Sequence, residues 1–256
     1  MEFSGGWDCA ARLVGGRWVE RRPRRPEVAV QLRREVRLMP WLAARLPLPV
    51  PVPEVVGEDP LVVRHLLVPG EPEERLDAVH GRALGRFLRC LHECPVADAI
   101  ARGVPADAAA DRARMVARFR AEVVPMLAVD LQRAGLALLD SVLEFPADVL
   151  VHGDLGPEHV LADGSGLTGV IDFGDVGIGD PAVDLSWALH GTSTVFADGL
   201  AAEYGVTSSQ RERALVWHRL GPWHEVTHGA DIGDADMVRS GLAGVLDRLG
   251  RARVEP

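Results

Sequence analysis

The sequence predicts an α/β (α+β) fold with a small N-terminal β-sheet lobe that carries one helix, followed by a larger and mostly helical C-terminal lobe. Three observations predict it: a hairpin pattern at the N-terminus, apolar residues at helical spacing through most of the chain after residue 77, and one β-rich segment at residues 149–173. A chain of 256 residues is long enough for both lobes. We place the N-terminal lobe at residues 1–68 and the C-terminal lobe at residues 69–256.

The first elements of the small lobe are a β-hairpin and a helix. A glycine-rich start leads into a strand near Trp7–Val14, glycines at positions 15 and 16 form the turn, and Arg17–Arg22 is the returning strand. Pro26 then opens a helix, because proline is favoured at the first helical position. The apolar stripe of this helix consists of Val28, Leu32, Val36 and Met39.

Two short segments complete the small lobe. The proline-rich run at residues 46–54 predicts a stiff extended connection, because proline lacks the N–H group that helices and central strands require. Leu61–Val68 is a short apolar strand, and the hinge between the lobes is expected near residues 66–72. The helices of the larger lobe are predicted at residues 77–94, 107–128, 130–143, 181–190, 195–204, 209–219 and 235–250.

The charge and hydropathy of the chain exclude several classes of function. A formal net charge of -9 argues against a nucleic-acid or anionic-membrane partner and favours a cationic small molecule. No apolar run approaches the roughly 20 residues that cross a bilayer. The start of the chain also lacks the basic stretch and apolar core of a signal peptide, so we expect a cytoplasmic protein. Nothing in the sequence predicts its oligomeric state.

The segment at residues 149–189 carries the pattern that points to chemistry. An apolar strand leads to His152 and Asp154, His159 follows five residues after Asp154, and a second apolar strand leads to Asp172. Phosphoryl transfer requires a carboxylate that orients the attacking hydroxyl and further groups that hold a metal ion on the phosphates. A hairpin at residues 160–171 would set Asp154 and Asp172 beside each other.

Three motifs in this segment resemble one family. HGDLGPEH resembles the catalytic loop of the aminoglycoside phosphotransferases, which are related to protein kinases, and IDFGD and GDPAVDL resemble its metal-binding strand end and the segment after it. The resemblance extends over nearly the whole chain, but the first strand of the usual nucleotide lobe is missing or very short. It implies a protein-kinase-like fold and an antibiotic-resistance kinase. Such an enzyme would use ATP or GTP with Mg²⁺ to phosphorylate a hydroxyl of a small molecule.

The resemblance also implies roles for individual residues. Asp154 corresponds to the catalytic base, His152 to a residue that orients the catalytic loop, and Asp184 to a residue that supports it. Asp172 and His159 correspond to the metal ligands. Three groups correspond to nucleotide-binding residues: the Arg21 and Glu35 pair, the hinge backbone that faces the adenine, and the glycine-rich start. Their members are Gly5, Gly6, Arg21, Glu35, Arg64, His65 and Leu66.

Two departures from the family pattern leave alternatives open. Position 159 is usually asparagine, and His159 is instead similar to the HGDL…HV pattern of macrolide phosphotransferases. Arg21 occupies the position of the phosphate-holding lysine, and all 28 basic residues of this chain are arginine; a planar guanidinium does not replace an ammonium group in every contact. A macrolide phosphotransferase, a metabolite kinase and a nucleotide-binding pseudokinase therefore remain alternatives.

The acceptor pocket is expected among the helices that follow the metal-binding strand. Carboxylates there would attract a cationic drug and tryptophan could stack on it; the candidates are Asp175, Trp223, His224, Glu225, His228 and Asp231. The same region contains HEVTH, which matches the zinc-protease motif H-E-x-x-H. A zinc metalloprotease is therefore a further alternative, but a remote one. Gly221, Pro222 and Gly229 predict only a short helix here, and the motif does not account for the pattern at residues 149–189.

Overall fold

The structure is a computed structural model that describes residues 9–73 and 75–251. Its N-terminal part contains a four-stranded antiparallel sheet. Its strands are β1 (Cys9–Val14), β2 (Trp18–Pro23), β3 (Glu54–Glu58) and β4 (Leu61–Leu66), in the order β1-β2-β4-β3. The predicted hairpin is confirmed over the described residues. Its turn uses glycine at positions 15 and 16 because both have positive φ angles, 58° and 65°. The sequence analysis missed β3, an edge strand that begins directly after the proline-rich run.

Helix α1 (Pro26–Ala43) packs against this sheet and confirms the predicted helix. Pro26 occupies its first turn, where the missing N–H group costs no hydrogen bond. Val28 and Leu32 on α1 form a small core with Cys9, Leu61 and Val63 of the sheet. This packing turns the next buried residue of the helix, Glu35, toward β2.

The larger part of the chain is mainly helical, as predicted. Its helices are α2 (Ala78–His92), α3 (Val96–Ile100), α4 (Ala108–Glu122), α5 (Val129–Leu143), α6 (Ala182–His190), α7 (Thr194–Tyr204), α8 (Ser208–Ile232) and α9 (Ala235–Arg251). The sequence analysis missed α3, a single short helix. Within residues 9–73 and 75–251, no helix combines the length and the apolar character needed to span a membrane.

Helix α8 corrects the expectation of a helix that stops near residue 219. It continues through Pro222 to Ile232 and packs along α9. A Cβ atom at Gly229 would lie 2.9 Å from the backbone nitrogen of Val238, and one at Gly241 would lie 2.8 Å from that of Val226. Glycine is therefore required for the close approach of the two helices, and this packing stabilises α8 across Pro222.

Two small antiparallel sheets form the predicted β-rich segment. Strand β6 (Val149–Val151) pairs with β9 (Gly177–Gly179), while β5 (Glu71–Pro72), β7 (Val160–Asp163) and β8 (Gly166–Val170) form the other sheet. The pairing of β6 with β9 lies partly beyond the predicted segment. It brings the loop after β6 next to the loop before β9, and these two loops contain Asp154 and Asp172.

Candidate active site

The loop after β6 presents Asp154 to solvent. Gly153 has φ 88°, and a Cβ atom there would lie 2.5 Å from the carbonyl oxygen of Asp175, so this position requires glycine. The side chain of Asp154 is 61% exposed. A ligand can therefore approach this carboxylate while the backbone behind it is fixed.

His152 holds this loop from inside the protein. Its ring is buried; Nε2 donates a hydrogen bond to the carbonyl oxygen of Ile171 at 3.0 Å, and Nδ1 accepts one from the N–H of Asp154 at 3.3 Å. Burial lowers the pKa of His152, so the ring is neutral near pH 7. These contacts are those of a residue that positions Asp154 and does not itself touch a ligand.

Asp184 on α6 supports the same loop through a buried network. Its carboxylate accepts hydrogen bonds from the backbone N–H groups of His152 at 2.7 Å and Gly153 at 3.0 Å. It also contacts Nε2 of His92 at 3.0 Å, and Nδ1 of His92 lies 2.8 Å from the hydroxyl of Tyr204. Burial alone would raise the pKa of Asp184, but the donors from His92 and the loop more than offset it and hold the pKa below its usual value.

His159 and Asp172 face each other beside Asp154. His159 Nδ1 lies 2.6 Å from the carbonyl oxygen of Asp154, to which it donates. In the neutral ring this leaves the lone pair of Nε2 free, 3.8 Å from Oδ2 of Asp172. Asp172 has φ 64°, a left-handed conformation that aspartate tolerates better than most residues.

The donor set of this pair fits a divalent cation that brings further oxygen ligands. In the described part of the chain no group of three or more His, Cys, Asp or Glu side chains is arranged to hold a metal. One carboxylate and one imidazole therefore require phosphate or water oxygens to complete the coordination, as is usual for Mg²⁺. Imidazole suits Mg²⁺ less well than the amide oxygen of asparagine would.

Arg21 and Glu35 form a bidentate ion pair between β2 and α1. The two nitrogen–oxygen distances are 2.6 and 3.3 Å, and the Glu35 side chain is 2% exposed. Burial alone would lower the pKa of Arg21, but the charges of Glu35 and Asp172 raise it, so the guanidinium stays charged. Asp172 is thus one of the negative charges that act on this cation.

Comparison with known proteins decides which family has this arrangement. A model of the phosphotransferase enzyme family matches residues 1–223. The chain belongs to that family. An aminoglycoside 3'-phosphotransferase from Streptomyces fradiae is 37% identical over 231 residues, which cover 77% of this chain and 82% of the relative. The predicted family and enzyme class are thereby confirmed.

Solved structures confirm the predicted kinase-like fold of this phosphotransferase. The GDP and kanamycin complex of APH(2")-IIia aligns with a TM-score of 0.86 and 24% identity, over 98% of this chain and 93% of that chain. A macrolide 2'-phosphotransferase from Brachybacterium faecium aligns with a TM-score of 0.75 and 25% identity, over 95% of this chain and 90% of that chain.

The predicted hinge residues of the phosphotransferase lie at the end of β4. Arg64 pairs with Glu54 at 2.8 Å and lies over the ring of Trp18, and His65 is buried with Nδ1 2.8 Å from the carbonyl oxygen of Leu66. Both side chains are thus engaged within the small lobe, and residues 64–66 pair with Trp18–Glu20 of β2 in the sheet. The predicted phosphate contacts at positions 5 and 6 lie outside the described residues.

The expectation that Trp223 contacts substrate is wrong. Its side chain is fully buried, its ring centroid lies 5.7 Å from that of Phe119, and it fills the space above Gly135. Local sequence did not reveal this, because tryptophan suits both a core and a binding surface. Trp217 is also engaged, since its Nε1 donates a 3.0 Å hydrogen bond to Asp180.

The other acceptor candidates lie on or near α8. His224 is exposed on α8; desolvation lowers its pKa, and the charge of Asp154 opposes this shift. Asp231 is exposed and pairs with Arg118 at 2.6 Å, a partner that the sequence analysis missed. The remaining candidates are the half-buried Glu225 and His228 on α8 and the exposed Asp175 in the loop after Asp172.

The zinc-protease alternative is wrong for this phosphotransferase. His224 and His228 are indeed one turn apart on α8, but His224 packs edge-on against Phe119 with ring centroids 4.9 Å apart. Asp234, which lies six residues after His228 and would be a further carboxylate for such a site, accepts hydrogen bonds from the N–H groups of Asp236 and Met237 and caps α9. The HEVTH match is therefore a coincidence of sequence within a wall of the larger lobe.

Replacing Arg21 with methionine is expected to lower the unfolding free energy by about 3–5 kcal/mol, because Glu35 would remain buried without its partner. Burial raises the pKa of Glu35, and Arg21 opposes that shift. A carboxyl whose folded-state pKa is raised contributes stability at pH values below its unfolded pKa and loses it as the pH rises. The unfolding free energy of the variant should therefore fall more steeply than that of the wild type as the pH rises above about 4. Urea denaturation across this range measures the effect.

Arg12→Met is the matched control for Arg21→Met. Arg12 lies on the neighbouring strand and pairs with Glu20, but its side chain is 49% exposed. Its loss should cost about 1 kcal/mol or less. Equal costs for the two variants would contradict the account of Arg21.

Proposed function

We propose that this phosphotransferase moves the γ-phosphate of ATP or GTP to a hydroxyl of an aminoglycoside-type antibiotic. The observation that carries the proposal is the juxtaposition of an exposed carboxylate, Asp154, with the His159 and Asp172 pair. One group can orient an acceptor while the others face the phosphates, as phosphoryl transfer requires.

The nucleotide would bind between the sheet of residues 9–68 and the larger lobe at residues 69–251. The base would contact the backbone of residues 64–66, and Arg21 would offset the charge of the phosphates. A structural neighbour with the kinase-like fold was solved as a complex with GDP, which supports a nucleotide as the phosphate donor. Dependence on nucleotide also suggests that the protein works in the cytoplasm.

Asp172 and His159 would hold Mg²⁺ on the phosphate oxygens. When bound, the ion would neutralise charge that develops on those oxygens. Asp172 supplies the anionic oxygen, and its left-handed backbone directs the side chain toward Nε2 of His159. Arg21 would add positive charge from the small lobe.

Asp154 would orient the acceptor hydroxyl and accept its proton. His152 and Asp184 fix the backbone on which this carboxylate stands, so little freedom has to be lost when the acceptor binds. The carboxylate is still exposed enough for an acceptor to reach it.

A cationic acceptor fits the charge of the protein and of this region. The chain has a net charge of -9. The carboxylates of Asp154, Asp175 and Glu225 would attract a cationic acceptor, whereas the charge of Asp231 is offset by Arg118. The relative with 37% identity is an aminoglycoside 3'-phosphotransferase. His159 favours a macrolide as the second candidate, and a macrolide 2'-phosphotransferase is among the structural neighbours.

Nucleotide turnover with Mg²⁺ against a panel of aminoglycosides, macrolides and cationic peptide antibiotics tests the acceptor class. We expect aminoglycosides to stimulate release of nucleoside diphosphate and macrolides to leave the basal rate unchanged. Stimulation by macrolides alone would replace the first candidate with the second. Nucleotide binding without stimulation by any member of the panel would favour a metabolite kinase or a pseudokinase.

A further inference from the structure

Arg34 connects the small lobe directly to the loop that carries Asp172. It precedes Glu35 on α1, and its Nη2 donates a hydrogen bond to the carbonyl oxygen of Gly174, which lies 140 residues away in sequence. Gly174 is two residues after Asp172. The contact therefore joins the helix that holds Arg21, through Glu35, to the loop with the proposed metal ligand.

The surroundings of Arg34 argue against a mere space-filling role. The residue is half-buried, and its Nε is buried without a hydrogen-bond partner among the described residues. Glu35 and Asp175 are the charged groups that act on it, and burial disfavours its charge. An unpaired buried N–H costs free energy, and an apolar side chain of similar length would avoid that cost.

The loop that Arg34 contacts is also held from the other side. Ile171 donates its N–H to the carbonyl oxygen of His159 at 2.9 Å, and the buried ring of Phe173 lies 4.8 Å from that of His152. These contacts attach the loop to the larger lobe. Arg34 attaches it to α1, so the loop is fixed between the two lobes.

We propose that Arg34 is a positioning residue for phosphoryl transfer, which holds α1 against the carbonyl of Gly174 so that Arg21 and Asp172 keep their relative positions. The proposal rests on the proposed function of Asp172 as a metal ligand. It gives Arg34 no contact with substrate. Loss of the Arg34 side chain should therefore weaken Mg²⁺-dependent nucleotide binding more than it lowers the stability of the fold.

Arg34→Met tests the proposal, with Arg33→Met as the matched control. Arg33 is the preceding residue on α1, but it pairs with Glu58 at the surface and its side chain is 46% exposed. We expect Arg34→Met to lower kcat by about 10- to 100-fold and to raise the Mg²⁺ concentration at half-maximal rate by about tenfold. The melting temperature should change by less than about 4 °C. Arg33→Met should match the wild type, and Arg34→Lys should recover part of the loss because an ammonium group can still donate to the Gly174 carbonyl.

A binding measurement keeps this test independent of the acceptor. Calorimetry with and without Mg²⁺ reports how far the ion strengthens nucleotide binding, and Arg34→Met should lose most of that gain. If Mg²⁺ strengthens nucleotide binding to the wild type but no antibiotic is phosphorylated, the proposed acceptor is wrong. The role of Arg34 is still tested in that case by the effect of Mg²⁺ on nucleotide binding. An unchanged gain and an unchanged kcat in Arg34→Met would overturn the proposal. A lower melting temperature without any change in Mg²⁺ dependence would also overturn the proposal, because a purely structural role predicts that result. If Arg34→Met does not fold, the same measurements are made on Arg34→Lys.

Discussion

Replacing Asp154 with asparagine is expected to lower kcat by about 10²–10⁴-fold while the dissociation constant of the nucleotide stays nearly unchanged. Asparagine has almost the same shape as aspartate but cannot accept the proton of the acceptor hydroxyl. The backbone of the loop should keep its conformation, because His152 and Asp184 hold it through main-chain groups. Steady-state kinetics with a saturating acceptor, together with calorimetric nucleotide binding, measures both quantities.

Asp163→Asn is the control for Asp154→Asn. Asp163 ends β7 and accepts hydrogen bonds from Ser165, a role that the amide oxygen of asparagine can also fill. This variant should keep the wild-type kcat. If Asp154→Asn also kept it, the carboxylate of Asp154 would have no part in the reaction.

Replacing Asp184 with asparagine should lower the unfolding free energy by about 3–5 kcal/mol at pH 7, because the buried donors lose a charged acceptor. The folded-state pKa of Asp184 is depressed. Such a group contributes its full stability above the unfolded pKa and loses it as the pH falls through the folded value. The difference in unfolding free energy between the wild type and the variant should therefore become smaller below about pH 4. Chemical denaturation at a series of pH values measures this difference.

Asp198→Asn serves as the surface comparison for Asp184→Asn. Asp198 is exposed on α7, and its replacement should change the unfolding free energy by about 0.5 kcal/mol or less. A similarly small effect at Asp184, or a difference that does not narrow in acid, would contradict the role given to the buried network.

The sequence predicted those parts of the site that lie close together along the chain. Asp154, His159 and Asp172 fall within one β-rich segment, where strand ends and a hairpin determine their positions. The partners of Asp184 could not be predicted in the same way. His92 lies 92 residues before Asp184 in the sequence, and Tyr204 contacts His92 rather than Asp184, so this network forms only after α2, α6 and α7 have packed.

The errors in the larger lobe have a similar origin. Pro222 and nearby glycines predicted a short helix, but α8 continues because close packing against α9 stabilises it, and that packing is a tertiary effect. Trp223 was predicted to face substrate because no local pattern distinguishes the inner face of α8 from its outer face. The contact of Arg34 with Gly174 joins the two lobes, so neither segment predicts it alone.

The most direct test of the central claim is to identify the product of the reaction. The wild-type protein would be incubated with Mg²⁺, nucleotide and an aminoglycoside that stimulates turnover, and the antibiotic would then be analysed by mass spectrometry and phosphorus NMR. Our account predicts one phosphate ester on a hydroxyl of the antibiotic, formed in equal amount to the nucleoside diphosphate and absent when Asp154→Asn replaces the wild type. Release of inorganic phosphate with an unmodified antibiotic, or an ester that forms as fast with Asp154→Asn, would contradict it.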